Sequence, residues 1–161
     1  MKLELKHLAP YLPYELKIAI EVAILETDSI NLNLENISDL LLYQRKPVLR
    51  PLDDLVKEIT HNGQKFVPIV ELLKTEHPSW EEEKKGTRYA EIEHGQTGTR
   101  YFALYTNQAT FSFKLHKYEF NTNRNEIEYW IMQKLLEWHF DVFNLIEQNL
   151  AVDLNKIQNT P

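Results

Sequence analysis

Six histidines are the residues of this sequence best suited to chemistry, because an imidazole can bind a metal ion or move a proton near neutral pH. They are His7, His61, His77, His94, His116 and His139. No two of them have the i, i+4 spacing at which one helix face presents two metal ligands. His139 and Asp141 are too close in sequence to share a helix face. The pattern is typical of scattered surface and capping histidines, so we expect no metal site and no cofactor.

Residues for covalent or acid–base catalysis are also few. The sequence contains no cysteine, which excludes disulfides, thiolate metal sites and a cysteine nucleophile. No serine lies in a G-x-S-x-G pattern. Glu91 and Glu93 would share one strand face, as an acid–base pair could, but each has a sufficient structural role. Gly95 and Gly98 lack the Lys-Ser/Thr of a phosphate-binding loop and fit a hairpin turn. The sequence favours a protein that is not an enzyme.

A second candidate chemistry is the binding of single-stranded nucleic acid. The candidate residues are Arg100, Tyr101, Tyr105, Lys114 and His116, in two neighbouring strand-like runs. Tyrosine rings can stack on bases while cationic side chains neutralise phosphates. Basic residues outnumber acidic ones between Lys84 and Lys117, but the whole chain has a net charge of −6. A nucleic-acid binder usually shows a clear basic surface, so this function is the alternative and not the preferred hypothesis.

Aromatic residues cluster near the C-terminus, at Tyr129, Trp130, Trp138, Phe140 and Phe143. The simplest interpretation is a hydrophobic core. Part of the cluster could instead cover a partner subunit, since tyrosine and tryptophan are enriched at protein interfaces. We therefore name Tyr129, Trp130, Trp138 and Phe143 as a tentative interface.

The elements that must position these residues begin with a predicted β-hairpin. Apolar residues alternate with other residues over 16–24 and again over 30–34, with a turn predicted at 27–29. A helix could also be drawn through the first stretch. Three further strands are predicted over 88–93, 99–106 and 110–118, and their short connections indicate an antiparallel meander.

Helices are predicted between and after these strands. Pro51 suits the first position of a helix that a left-handed Asn62-Gly63 would end. A second helix is expected from Pro68 to the residue before Pro78.

The longest helix is predicted near the C-terminus, with Asn125 as its cap, and extends by a further turn or two to a left-handed Asn149. A last short strand is predicted over 150–154. The predicted class is α+β, an antiparallel sheet packed by several helices.

Composition bounds the class of protein. With 161 residues, of which 43% are hydrophobic, the chain is predicted to form a single domain over residues 1–161. The charged N-terminus does not resemble a secretory signal, and no apolar run is long enough to span a membrane. We expect a protein of a reducing cytoplasm that does not act in a membrane.

Three stretches together resemble a family of small uncharacterised proteins encoded by phages and prophages of anaerobic bacteria, which has no assigned function. They are HLAPYLPYELK, then KPVLRPLDDLVKEI with GQKFVPIVELL, and KLLEWHFDVFNLIEQNLAVDLN. That family has glycine where this chain has Asn144 and Asn149. The resemblance implies a phage-derived protein in the cytoplasm of a bacterial host and assigns no catalytic residue. The preferred hypothesis is an accessory protein that binds another protein or itself.

Overall fold

The computed structural model describes residues 2–22, 26–80, 89–94, 99–106, 109–116 and 127–158. The chain divides into two compact units. We call Met1–Leu52 with Met132–Pro161 the terminal unit, and Asp53–Ile131 the central unit. Helices and antiparallel strands are both present, which confirms the predicted α+β class. The prediction of one domain over residues 1–161 stays a prediction.

The terminal unit begins with helical turns that lead into a hairpin. α1 spans Leu5–Leu8 and is followed by a 3-10 helix, Ala9–Tyr14. β1, Lys17–Val22, and β2, Glu26–Asn31, then form the predicted antiparallel hairpin. The turn predicted at 27–29 is wrong, because these three residues pair with residues 19–21 inside the hairpin.

The second strand ends earlier than predicted. The Asn33 side-chain oxygen accepts hydrogen bonds from the backbone N–H groups of Glu35 (3.0 Å) and Asn36 (2.9 Å). Such a local bond offers the backbone an alternative to the strand ladder. Leu34, which was predicted to lie in the strand, therefore lies in a turn that leads into α2, Ile37–Leu42.

A short parallel pair joins the two chain segments of the terminal unit. β3, Val48–Leu49, pairs with β9, Val152–Asp153, and α5, Leu154–Gln158, follows β9 directly. β9 confirms part of the strand predicted over 150–154. Around this pair lies a core of fully buried side chains, which includes Leu8, Tyr11, Leu16, Ile18, Leu40, Leu135, Phe140 and Leu145.

Among the described residues of the terminal unit, five polar residues have a left-handed φ, and three of them end a turn with the same hydrogen bond. These three residues are Gln44, His139 and Asn149, with φ angles of 51°, 60° and 57°. After each of them, the next backbone N–H bonds to a carbonyl five positions back, from Arg45 to Leu40, Phe140 to Leu135 and Leu150 to Leu145. These bonds satisfy carbonyls at the end of a helical turn. The left-handed conformation predicted for Asn149 is confirmed.

The side chains of these three residues also hold distant parts of the unit. Gln44 Oε1 accepts a hydrogen bond from the Leu3 N–H at 3.3 Å. His139 Nε2 lies 2.5 Å from the Tyr14 carbonyl oxygen, and Asn149 Oδ1 accepts a bond of 2.8 Å from Lys46 Nζ. Glycine would take the left-handed conformation without strain but could make none of these bonds.

The central unit opens differently from the prediction. A short 3-10 helix spans Leu52–Val56, and the chain then forms an antiparallel hairpin of β4, Ile59–His61, and β5, Gln64–Phe66. The helix predicted from Pro51 to Asn62 is therefore wrong beyond its first turns. Asn62 and Gly63 have φ angles of 49° and 78° and form the two-residue turn between the strands. A tight hairpin turn requires positive φ at both residues. The Asn62-Gly63 pair, which predicted a helix end, therefore forms a hairpin turn.

The rest of the central unit follows the prediction. α3 spans Pro68–Glu76, and the meander consists of β6, Tyr89–His94, β7, Thr99–Tyr105, and β8, Thr110–His116. The apolar face of the meander is buried and carries Phe102, Leu104, Phe111, Phe113 and Leu115. α3 contacts β7, and its buried residues include Ile69, Val70, Leu72 and Leu73. The meander and the β1–β2 hairpin are separate sheets.

The last long helix, α4, spans Tyr129–Glu137, begins in the central unit and continues into the terminal unit. It has nine residues, as α3 does. The predicted cap, Asn125, lies outside the described residues. Residues 138–149 form turns where a further amphipathic helical turn or two was predicted. The Asp141 carboxylate holds these turns by accepting the N–H groups of Leu145 (2.7 Å) and Ile146 (2.8 Å).

Candidate functional site

The outer face of the meander brings together three of the five residues predicted to bind nucleic acid. Tyr101 pairs with Lys114 on β8, and Tyr105 lies on the same side of β7 because side chains of alternate residues share one face. Tyr101 and Lys114 are half-buried and Tyr105 is exposed. The backbone register places His116 on this face too, but its side chain lies outside the described part of the structure.

Arg100 does not belong to that face. It alternates with Tyr101 along β7 and pairs with Leu115, so it lies on the apolar side of the sheet. Its Nη1 donates a hydrogen bond of 3.1 Å to Asp53 Oδ1, and only 13% of the Arg100 side chain is exposed. The arginine therefore joins the sheet to the start of the central unit and is not placed to meet phosphates beside Lys114.

Carboxylates also lie on the outer face. Glu93 pairs with Tyr101, so Glu93, Tyr101 and Lys114 form one row across the three strands. Glu91 lies on the same side of β6. Among the side chains described on this face, two carboxylates accompany one lysine. Lys84, Lys85, Arg88 and Lys117, which contribute to the basic excess in the sequence, lie outside the described residues. A mixed face of this kind attracts phosphates weakly.

The four residues of the tentative interface have different surroundings. Tyr129 is 77% exposed, and Trp130 next to it is half-buried, with its Nε1 bonded to Glu128 Oε2 at 2.8 Å. Trp138 is buried in the terminal unit under Lys134, whose Nζ lies 6.0 Å from the ring centroid. Phe143 is half-buried, and its ring lies 6.2 Å from that of Tyr11. Tyr129 is thus the most accessible of the four.

Buried polar groups of the terminal unit have structural partners. The Tyr11 hydroxyl donates a 2.6 Å hydrogen bond to the Phe140 carbonyl, and burial raises the pKa of Tyr11 well above 10.0, with a further contribution from the charge of Asp141. Burial lowers the pKa of His139, although its bond to the Tyr14 carbonyl opposes that effect. These hydrogen bonds position backbone segments.

Four large apolar side chains are exposed among the described residues of the terminal unit. Leu34 is 78% exposed, Leu42 71% and Tyr43 66%, all within or beside α2. Leu5 on α1 is 53% exposed. We call Leu5, Leu34, Leu42 and Tyr43 the α1–α2 surface. Large apolar residues exposed in such close sequence proximity mark sites of association when they lie side by side.

Backbone hydrogen bonds join the segments that carry these residues. Ile37 N–H bonds to the Asn33 carbonyl at 3.2 Å, so the helical turn extends back to the turn containing Leu34. Gln44 bonds to the backbone of both Leu3 and Leu41, which brings the start of α1 to the end of α2.

Sequence reasoning missed this surface because Leu34 fitted a strand and residues 35–45 received no element. One signal was present. Asn33 and Asn36 precede Ile37, Leu40 and Leu41, whose spacing is that of one helix face. Even with the helix recognised, the sequence alone would not have shown that Leu42 and Tyr43 lie outside the core.

Metal-binding clusters and membrane-spanning helices are two further features to consider in the described residues. Across the described ranges, no group of three or more histidine, aspartate or glutamate side chains is placed to hold a metal ion. In the same part of the chain, no helix has the length and hydrophobicity needed to cross a membrane. No protein-family model, curated protein or solved structure matches this chain.

Proposed function

We propose that this chain is a non-enzymatic protein that works by binding another protein molecule through the α1–α2 surface. The observation that carries the proposal is the exposure of Leu42 and Tyr43 at the end of α2 and of Leu34 in the turn before it. Removing a leucine-sized side chain from water contributes about 1.5–3 kcal/mol. Tyrosine is among the residues that dominate binding energy at interfaces. The four residues of the α1–α2 surface are therefore candidates for contacts with a partner.

The biological setting is part of the proposal. The resemblance to phage-encoded proteins supports an accessory role in the cytoplasm of a bacterial host. In that setting the protein would act by occupying a surface of a host or phage protein. No catalytic residue is required for this role, which agrees with the structural tasks of Tyr11, His139 and Asp141.

The test compares variants that remove apolar surface at two places. Leu42→Lys combined with Tyr43→Ser changes the α1–α2 surface, and Tyr129→Ser changes an equally exposed tyrosine in the central unit. Each protein is used for quantitative capture from bacterial lysate and for sedimentation analysis. We expect the first variant to lose a specific partner that the wild type and Tyr129→Ser retain. If Tyr129→Ser alone loses the partner, the interface is at α4. If no variant changes any association, the proposal fails.

The alternative is a single-stranded nucleic-acid-binding module. It is supported by the shared face of Tyr101, Tyr105 and Lys114. Binding through phosphates would weaken as salt rises, because counterions are released on binding. Lys114→Glu should then reduce the affinity for a mixed-sequence oligonucleotide, while Lys65→Glu, in the exposed β4–β5 hairpin, should not. Equal affinity of both variants and the wild type would end this alternative.

A further inference from the structure

We propose that Asn62 is a site of spontaneous covalent modification, to which the fold leaves it open while it protects Asn149. At this site the side-chain amide of the asparagine is converted to a carboxylate in the folded protein. Asn62 lies in the turn of the β4–β5 hairpin and is followed by Gly63. The site belongs to the central unit and is therefore independent of the α1–α2 surface.

The reaction needs only these two residues and water. The backbone nitrogen of Gly63 attacks the side-chain carbonyl carbon, Cγ, of Asn62, and a new C–N bond forms. The bond from Cγ to the amide nitrogen breaks, and ammonia leaves with the proton of the Gly63 N–H. Water then opens the resulting five-membered imide at either carbonyl, which leaves aspartate or isoaspartate. An intramolecular attack of this kind avoids the entropy cost of bringing two molecules together.

No hydrogen bond in the described part of the structure restrains either reacting group, the Asn62 side chain or the Gly63 N–H. Both residues are exposed. Gly63 has no side chain beside its own nitrogen, and a Cβ built there would meet no atom within 4 Å. Ammonia can therefore leave and water can enter without any rearrangement of neighbouring residues.

Asn149 has the same backbone conformation but is held in place. It is also exposed, and its φ of 57° is close to the 49° of Asn62. Its side-chain oxygen accepts a hydrogen bond of 2.8 Å from Lys46 Nζ. The next backbone nitrogen, that of Leu150, donates a bond of 2.8 Å to the Leu145 carbonyl. Attack at Asn149 would have to break both bonds and pass the branched leucine side chain, so Asn149 is protected.

The modification would change the hairpin in two ways. Each product adds a negative charge, and isoaspartate also adds a carbon atom to the main chain between His61 and Gln64, which pair across the turn. The length of a hairpin turn sets the register of its strands, so the longer turn no longer fits the pairing of Ile59 with Phe66. We expect modified chains to lose protection from hydrogen exchange in β4 and β5.

The test follows the full-length protein as it ages in mildly alkaline buffer, well below its unfolding transition. Peptide mass spectrometry measures the conversion of amide to acid at each asparagine, and a methyltransferase specific for isoaspartate identifies that product. We expect Asn62 to be converted first, while Asn149 stays intact. Asn62→Gly, which suits the left-handed turn, should remove the signal from the hairpin peptide.

Leu150→Gly separates the effect of structure from that of sequence. It gives Asn149 the same following residue that Asn62 has, while the bond from Lys46 and the backbone bond at position 150 remain. In the folded variant Asn149 should react about tenfold more slowly than Asn62, which corresponds to about 1.36 kcal/mol in activation free energy. In concentrated urea, where both sites are unfolded, the two rates should become similar. Circular dichroism shows whether the variant is folded.

Two results would overturn the proposal. In the first, Asn62 of the wild type reacts in urea but stays intact in the folded protein, which means that the closed hairpin protects it. In the second, Asn62 and Asn149 react equally fast in folded Leu150→Gly, which means that sequence alone sets the rate. The first comparison needs no substitution, so the test stands even where Leu150→Gly does not fold.

Discussion

The Tyr11 hydroxyl donates a hydrogen bond of 2.6 Å to the Phe140 carbonyl, although the two residues are 129 positions apart in the sequence. Both side chains are fully buried. The bond therefore joins the N-terminal helical turns to the chain segment that follows α4, in the core of the terminal unit. The same carbonyl oxygen also accepts a hydrogen bond of 2.9 Å from the Val142 N–H.

Replacing Tyr11 with phenylalanine should destabilise the terminal unit. The substitution keeps the ring but removes one of the two hydrogen bonds to the Phe140 carbonyl, which costs about 0.5–1.5 kcal/mol. Urea unfolding followed by circular dichroism measures the loss. Tyr129→Phe is the matched control, because Tyr129 is exposed and its change should stay within about 0.5 kcal/mol. Equal stability of Tyr11→Phe and the wild type would show that the bond contributes nothing.

Stability should fall in mild acid because of two histidines. Burial lowers the pKa of His7 below 6.5, and the charge of Lys6 lowers it further. The same holds for His139, where burial acts first and the charges of Arg50 and Lys17 add to it. The unfolded chain takes up protons near the ordinary pKa, while the folded chain does so only at lower pH. The free energy of unfolding is therefore highest above pH 6.5 and decreases as the pH falls below it.

The hydrogen bond of His7 also requires the neutral form of its ring. Its Nδ1 accepts a hydrogen bond of 3.1 Å from the Glu4 N–H, which a protonated ring could not do. His7→Gln should reduce the difference in unfolding free energy between pH 7.5 and pH 5. His77→Gln, at a more exposed histidine, serves as control. A slope against pH that is identical in His7→Gln and the wild type would contradict this account.

Gln44 should respond differently to glycine and to alanine. Both substitutions remove the hydrogen bond to the Leu3 N–H, so both should increase hydrogen exchange in α1. Alanine must still adopt the left-handed φ of 51°, whereas glycine adopts it at no steric cost. We expect Gln44→Gly to be about 1 kcal/mol more stable than Gln44→Ala. Unchanged exchange in α1 would show that Gln44 does not hold it.

Gly63→Ala should destabilise the β4–β5 hairpin through the backbone alone. The added Cβ would meet no atom within 4 Å, so no clash contributes, but the φ of +78° is strained for alanine. The expected cost is about 1 kcal/mol in thermal or urea unfolding. Asn62→Gly should be neutral or nearly so, because its left-handed φ suits glycine. A neutral Gly63→Ala would mean that the turn can change its type.

Local sequence signals were sufficient for α3 and for the three strands of the meander. Pro68 and Pro78 enclosed α3, and the alternation of apolar residues predicted all three meander strands. These features depend on restrictions that each residue places on its own backbone or on the two-residue period of a strand. These local restrictions apply whatever the segment packs against, so the sequence alone can predict such elements.

Other signals were ambiguous because one backbone conformation serves two structures. Positive φ at Asn62 and Gly63 suits a helix end and also a hairpin turn. The antiparallel pairing of Ile59 with Phe66 decided between them. Residues 27–29 likewise had turn chemistry, yet pairing with β1 made them a strand.

The candidate sites depended on tertiary structure still more. The two-residue period of a strand puts Arg100 and Tyr101 on opposite faces of β7. Only the fold brings Asp53 to within 3.1 Å of the Arg100 guanidinium. Leu42 is as apolar as the core residues Leu40 and Leu49, so hydrophobicity could not separate exposed leucines from buried ones. By itself, the sequence determined the α+β class, the meander, α3 and the left-handed Asn149, since these follow from the backbone preferences of neighbouring residues. Tertiary structure alone decided which side chains lie on the surface, because exposure depends on what the rest of the chain leaves uncovered.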